Sequence, residues 1–563
     1  MSRNKSIIPK QIAKRSYSIF FICIIIYGFL IYRLMDIQII QGDMYKQRAV
    51  NQSTEKVELN SGRGIIYDRN GKALTDVVKK KVIIVEKEQL ITNYDTRELI
   101  KSAINMEETD IYKKIEEQTS SSVVKIQVDS LSSDIERKLR EKNVLVEWET
   151  LRYSPDGLMA STIGYISQSD KKGVSGIEKN LDYLLKDSNE QYVSAFKAGQ
   201  SGNVGHDKVN ILKGSIKTVS DSENEQNVKL TIDKDIQKIV ESVTRKEENP
   251  TAVVISDVDS GEILAMSSMP TINQNNISQS IEESKKNNNG AFYNRAVQVT
   301  YPPGSVFKIV VLYAALEAGV ISPDSYSYNC TGSTKVGNSD EILKCHKLDG
   351  HGVQNLQQAF SNSCNTAFLD IAMKVGKEKI LESAKKLHLE EAVGIGLDEE
   401  KTGSIPSDIS IRNLAIGQGS MGLTPLQINQ LIQIVANNGT YKPLYLYDSI
   451  VNGNKDIVKL FKQSKSEEII SPYIMTIIKE MMKDVSKNGT AKDLANLEGG
   501  SGVKTGTAQS TVNGTKITHG WIAGYYPENK PQYAITIIVE GTEKSSKSAV
   551  PIFKEICQKI NKK

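Results

Sequence analysis

From Tyr17 to Tyr32 the chain carries no charge, and Leu34, Met35 and Ile37 to Ile40 prolong the apolar stretch. Together they approach the roughly 20 residues that cross a bilayer, provided Arg33 carries its head group to the interface. Arg3, Lys5, Lys10, Lys14 and Arg15 precede the stretch. The pattern therefore predicts a single-pass anchor with a cytoplasmic N-terminus and everything after Ile40 outside. A cleaved signal would have a shorter apolar region and small residues at its cut, which Arg33-Leu34-Met35-Asp36 does not offer. Beyond the anchor, Thr109 to Gln118 reads as a helix and Ser121 to Val128 as a strand. The polar run Ser220 to Asn227 has nothing to bury and marks a boundary. After it, Thr251 to Ser256 and Glu262 to Met266 predict paired strands around an Asp259-Ser260-Gly261 turn. Val306 to Leu316 predicts a buried helix that begins near Ser305, because Pro302-Pro303-Gly304 cannot continue a helix from upstream. The expected fold class is α+β, divided into a tail (1–16), an anchor (17–40), an α+β domain (41–225) and a larger domain (226–563).

Composition adds few constraints. A chain of 563 residues with 39% hydrophobic content and a net charge of +4 suits an ordinary globular protein of two or more domains. No concentrated basic face is visible along the sequence, so no nucleic-acid partner is implied, and no internal repeat is present.

The helix at Ser305 carries the chemistry. Ser305 and Lys308 are three residues apart, and such positions are neighbours on a helix surface. A serine hydroxyl attacks a carbonyl only when a base relieves it of its proton, and a neutral lysine amine is such a base. The spacing alone means little: Ser2/Lys5 and Ser169/Lys172 share it, but in a charged tail and a Lys- and Gly-rich turn. Two companions raise its value. Ser363-Cys364-Asn365 opens the apolar run Thr366 to Met373, and Lys504-Thr505-Gly506-Thr507 precedes the strand-like Gly520 to Tyr526. A second Lys-Thr-Gly at Lys401 is followed by Ser404-Ile405-Pro406, and the proline argues for a surface loop.

Ser-x-x-Lys, a Ser-x-Asn element and Lys-Thr-Gly in this order form the signature of penicillin-binding proteins and class A β-lactamases, with Cys364 here in place of the usual Asp. Arg63 to Gly71, Gly173 to Glu178, Leu230 to Asp233, Asn294-Arg295-Ala296 and Gly417-Gln418-Gly419 resemble, in order, recurring segments of the class B penicillin-binding proteins. The resemblance implies a single transmembrane helix, an elongated α+β pedestal, and a transpeptidase domain built from an antiparallel sheet flanked by helices with a helical subdomain. It implies a peptidoglycan DD-transpeptidase without a glycosyltransferase domain. The catalytic residues would be Ser305, Lys308, Ser363 and Asn365. Lys504, Thr505, Gly506 and Thr507 would bind the substrate's carboxylate, and the N–H groups of Ser305 and Thr507 would form the oxyanion hole. Implied partners are stem peptides and their lipid-linked precursor, β-lactams, the membrane, and a glycan polymerase of the shape-elongation-division-sporulation type. The chemistry requires no cofactor. A DD-carboxypeptidase or β-lactamase would share the serine chemistry but transfer the acyl group to water. A β-lactam sensor or scaffold would need no turnover. His519 and Tyr301 are read as structural or cleft-lining residues.

The cysteines leave alternatives open. Cys23 and Cys557 read as packing residues. Cys330 and Cys345 bracket a loop followed by His346, Asp349 and His351. Cys330, Cys345, Asp349 and His351 could hold a structural zinc tetrahedrally, with His346 as a substitute for Asp349. A Cys330–Cys345 disulfide worth about 3 kcal/mol is the competing reading, and free thiols are the third.

Overall fold

The computed structural model describes residues 10–41, 54–104, 107–118, 123–186, 188, 190–197, 209–219, 225–461, 465–512 and 514–563. Arg3, Lys5 and the Ser2/Lys5 pair lie outside them, as do 121–122 of the expected strand. The chain divides into two compact units, Met1–Leu59 with Lys80–Glu149 and Gln191–Thr218, and Asn60–Lys79 with Thr150–Glu190 and Val219–Lys563. The sequence suggested one cut near residue 225, but the units interleave. Of the polar run expected there, 220–224 lies outside the described residues, while Asn227 opens a strand with its side chain fully buried. Its amide has partners: the oxygen accepts from Ile65 N at 2.6 Å and the nitrogen donates to Asn452 O at 3.2 Å. A buried amide so satisfied costs little, so a polar letter did not mean a linker.

The first unit starts with a helix, Lys10–Met35, that continues as a π turn over Asp36–Ile40. Arg15–Ile40 is long and apolar enough to cross a membrane, with a mean hydropathy of 2.2. Arg33 and Asp36 pair at 3.3 Å, so the two opposite charges near the end of this segment answer each other. A three-stranded sheet follows, in the order 54–58, 190–197, 209–219. A second has the order 123–128, 78–86, 145–151. The helix expected over Thr109 to Gln118 is Glu108–Glu117. Ile83, Val85, Ile100, Ile111 and Leu139 form the core where the helices cover the second sheet.

The second unit is built on β1 (Thr251–Asp257) and β2 (Ile263–Met269), the expected hairpin, with Ile263 opposite Ser256 and Met269 opposite Thr251. Next come α1 (Lys308–Glu317), α2 (Asn365–Val375), α3 (Pro425–Ala436) and α4 (Pro472–Lys487). Then β3 (Gly502–Val512), β4 (Thr515–Tyr526) and β5 (Tyr533–Val539) complete a five-stranded antiparallel sheet ordered β2-β1-β5-β4-β3, before α5 (Ala549–Asn561). α3 is buried at every position. Thr424 and Gln427 form a capping box at its start, with Pro425 at a position that needs no N–H donor. Its buried amides pin it to the sheet. Asn429 donates to Val254 O and Ala534 O, and Gln433 donates to Val258 O. α1 is likewise apolar on nearly all sides and lies in the middle of the domain, in contact with α2 and α4.

Two N-terminal segments fold with this unit. Ile66–Tyr67 pairs parallel to Asn227–Leu230. Arg63 contacts Glu178 at 2.8 Å and Asp182 at 2.7 Å, and Arg152 contacts Glu178 at 2.8 Å and Asp76 at 2.5 Å. The resemblance had pointed to Arg63 and Glu178, and here both are buried structural members, with Glu178 placed between two guanidinium groups.

Candidate active site

Ser305 lies in a 3₁₀ turn, Gly304–Phe307, and the α-helix proper begins at Lys308. With three residues per turn, side chains three apart stack directly, which places Ser305 and Lys308 on one face. The turn can form because Gly304 has φ +55°, and a Cβ there would come within 2.5 Å of Thr507 O. Position 304 thus admits only glycine, and its bareness lets the Ser305 turn rest against β3.

Lys308 is fully buried, and its amine donates to Ser363 O at 2.7 Å, Asn365 Oδ1 at 2.8 Å and Ser363 Oγ at 3.3 Å. The spacing puts this amine on the same face as Ser305. The three donors of an ammonium are instead taken by the Ser363–Asn365 segment, and among the described residues Ser305 makes no hydrogen bond to it. Burial lowers Lys308 from the ordinary 10.5 to about 7, against a smaller upward push from the thiols of Cys364 and Cys345. Lys504, also fully buried, donates to the same Ser363 Oγ at 2.9 Å. Burial, then the neighbouring charge of Lys308, hold it well below the usual lysine value. Ser363 therefore joins two amines. It adopts φ +53°, an uncommon conformation for a serine, and its N–H bonds Phe360 O at 3.0 Å.

Ser305, Ser363, Asn365, Thr505, Gly506 and Thr507 all line one cleft of about 1600 Å³. A Cβ on Gly506 would sit 3.1 Å from Pro303 O and 3.2 Å from Trp521, so this glycine serves close packing below the cleft. Three residues to which the sequence assigned no role hold the strand's hydroxyls and backbone. Gln418 donates to Thr507 O at 2.9 Å and accepts from Gln509 N at 3.2 Å, matching the edge of β3 as another strand would. Ser545 bonds the Thr507 hydroxyl at 2.7 Å, and Thr490 bonds that of Thr505 at 2.5 Å. Only the family-like Gly417-Gln418-Gly419 carried any signal for these. Lys401 is exposed in a loop and does not line the cleft. His519 lies on β4 opposite Ala508, bonded through Nε2 to Ser510 at 2.7 Å, with Tyr301 edge-on at 5.3 Å. The Tyr301 hydroxyl is in turn anchored on Glu540.

All five cysteines are free thiols, so the Cys330–Cys345 bridge is not formed. The donor atoms of Cys330, Cys345, His351 and Cys364 gather within 4.8 Å of one another. Asp349 and His346 are not in this group, and the donor expected from Asp349 comes from Cys364. A tetrahedral zinc with bonds of about 2.3 Å to sulfur and 2.0–2.1 Å to nitrogen needs S···S near 3.8 Å and S···N near 3.6 Å. Cys345 lies 3.9 Å from Cys364 Sγ and 3.6 Å from His351 Nδ1. The donor set fits the metal. The contact between the two sulfurs lowers Cys345 and raises Cys364, so the pair shares one thiol proton that a metal would displace.

An antiparallel five-stranded sheet with its edge strand facing a buried Ser-x-x-Lys turn places the molecule among the transpeptidase folds. Residues 251–558 match the family described as the penicillin binding protein transpeptidase domain, and 58–215 match the penicillin-binding protein dimerisation domain. The chain belongs to the class B penicillin-binding proteins. It is 26% identical over 560 residues to stage V sporulation protein D of Bacillus subtilis, covering 92% of this chain and 81% of that one. With the peptidoglycan D,D-transpeptidase FtsI of Escherichia coli K12 it shares 24% identity over 535 residues, 91% of this chain and 84% of the other. The penicillin-binding protein PBP2 of Helicobacter pylori, solved in complex with MreC, superposes with a TM-score of 0.65 at 22% identity, over 90% of this chain and 99% of that one.

Proposed function

We propose that this chain is a peptidoglycan D,D-transpeptidase that works through an acyl-enzyme on Ser305. The observation that carries the reading is the convergence of two buried amines, Lys308 and Lys504, on Ser363 Oγ in the cleft that Ser305 lines. In its neutral form Lys308 takes the proton of Ser305 as Oγ attacks the penultimate D-alanine carbonyl. The oxyanion that forms meets the N–H groups of Ser305 and Thr507. As the intermediate collapses, the C–N bond breaks, and the proton passes from Lys308 through Ser363 to the departing D-alanine nitrogen. Asn365 holds Lys308 and the substrate amide. The arriving carboxylate meets Thr505, Thr507 and Lys504, and its charge restores the protonated form of Lys504 that burial disfavours. An amine from a second stem then attacks the ester, gives its proton to Lys308, and leaves Ser305 with its hydrogen restored. β-Lactams acylate the same serine.

Cys330, Cys345, His351 and Cys364 would hold a zinc ion whose contribution is structural. Because Cys364 lies between Ser363 and Asn365, anchoring its sulfur fixes both neighbours. Asp349 has no part in this set. The apolar N-terminal helix anchors the chain with its N-terminus in the cytoplasm, and the glycan strands come from a membrane polymerase of the shape-elongation-division-sporulation type.

The test is mass spectrometry of the full-length protein in detergent after penicillin treatment, followed by assay with a D-Ala-D-Ala peptide and an amine acceptor. The reading expects one adduct on Ser305, none in Ser305→Ala, and an amide product with release of D-alanine. An adduct elsewhere overturns the assignment of the nucleophile, and free acid without amide makes the protein a hydrolase.

A further inference from the structure

The chain as a whole is nearly balanced, with 71 Lys and Arg against 67 Asp and Glu. Its active-site cleft is not. Among the described residues, the lysine, arginine and acidic side chains that line it are Lys344, Arg412, Lys492, Lys516 and Lys547 against Asp493. Arg412 is answered by Glu341 at 3.3 Å, outside the lining. The four lysines are exposed, and none has an ion pair among the described residues. Three of them bond the proposed machinery or neighbour residues that do, and Lys516 lies on β4 four residues from Gly520, the cross-strand partner of Thr507. The Lys344 carbonyl accepts from Asn365 Nδ2 at 3.3 Å. Lys547 is two residues beyond Ser545, which bonds the Thr507 hydroxyl. Lys492 is two residues beyond Thr490, which bonds Thr505. Lys516 faces Thr511 across the hairpin whose strand carries Lys504. The sequence showed no basic face because these lysines are spread over 204 positions from 344 to 547 and only the fold collects them.

Unpaired cations in a concave site raise the local concentration of anions and speed their arrival, an effect that salt suppresses. The substrate's terminal carboxylate is already assigned to Lys504, Thr505 and Thr507, which lie deeper. We propose that the lysine rim selects acyl-donor peptides bearing free carboxylates upstream of their D-Ala-D-Ala end over the same peptides with those groups amidated. Lys516 and Lys547 are the specificity-determining residues nearest the carboxylate-binding strand, and Lys344 and Lys492 extend the rim. This rests on the transpeptidase reading and adds the substrate's charge to it.

The experiment uses the full-length protein in detergent and two D-Ala-D-Ala peptides of equal length, one with free side-chain carboxylates and one with carboxamides. An exposed ion pair changes an equilibrium by about two- to fivefold, so two of them give a preference of about tenfold in kcat/KM for the acidic peptide at low salt. That preference should shrink at high salt. The Lys516→Glu, Lys547→Glu double variant should lose it through KM, with kcat and final penicillin labelling of Ser305 unchanged, and Lys516→Gln, Lys547→Gln should fall between. Equal kcat/KM for the two peptides, or a preference untouched by both double variants, overturns the proposal while penicillin labelling leaves the transpeptidase reading standing. Loss of Ser305 acylation in the unaltered protein by penicillin and both peptides overturns both.

Discussion

Moving the Lys308 amine from 10.5 to about 7 changes the balance between its charged and neutral forms by about 5 kcal/mol, at 1.36 kcal/mol per pH unit. At pH 7 about half of the molecules then carry a neutral base, against roughly one in 3000 for an ordinary lysine. The acylation rate constant should therefore rise with pH, from roughly a tenth of its plateau near pH 6 to half near pH 7, and level off above about pH 8. Lys504 shares Ser363 with Lys308, so the observed midpoint belongs to the pair. Lys308→Arg keeps the positive charge but cannot release a proton, and general-base assistance is worth about 10²–10⁴-fold. Acylation by a fluorescent penicillin, followed by stopped flow from about pH 5.5 to about pH 9, measures both effects, with circular dichroism to verify folding. The sign for stability is the same. Between pH 7 and 10.5 the unfolded chain binds the proton that the native Lys308 has lost, so stability rises with pH across that window, and the cost of burying the charged amine is full below about 7. A rate constant independent of pH between about 6 and 8, or a Lys308→Arg variant that acylates normally, would refute the assignment of Lys308 as the base.

Glu178→Gln should cost about 3–5 kcal/mol in urea unfolding, since it leaves Arg63 and Arg152 without their shared buried partner; a loss below about 1 kcal/mol would contradict this. Gly304→Ala forces a side chain against Thr507 O at a left-handed φ, so it should lower stability by about 2–3 kcal/mol and abolish penicillin labelling, read by thermal melting and gel fluorescence. Cys364→Ser should weaken zinc binding at least roughly a hundredfold in competition with a chromogenic chelator, whereas Asp349→Asn should leave it unchanged.

The local chemistry was legible where neighbours in sequence act together. The Ser305 turn, the Ser363–Asn365 segment and the Lys504 strand meet in one cleft, and the β1–β2 hairpin pairs around the turn that Asp259-Ser260-Gly261 marks. What escaped depends on distant partners. Asn227 looked like a linker residue because its two amide partners, at positions 65 and 452, are invisible locally. Asp349 is close to Cys345 in the chain, whereas the turn at Ser363 brings Cys364 to 3.9 Å from the same sulfur. The i, i+3 spacing that pairs Ser305 with Lys308 says nothing of Ser363 O and Asn365 Oδ1, the distant acceptors that hold the amine. Thr490 and Ser545 could not be found from pattern, since each acts on β3 from a distant segment, and Gln418 stood out only within the family-like Gly417-Gln418-Gly419.

The strand at Ile66–Tyr67 and the Arg63–Glu178–Arg152 cluster have a practical outcome for anyone dissecting the molecule. A fragment trimmed to begin at residue 226 would expose one side of Asn227–Leu230 and strip a buried ionic knot of its members. The catalytic half is not a portable cassette. Swaps between relatives should keep their crossovers out of residues 60–79 and 150–190, and carry those two stretches along with the C-terminal portion.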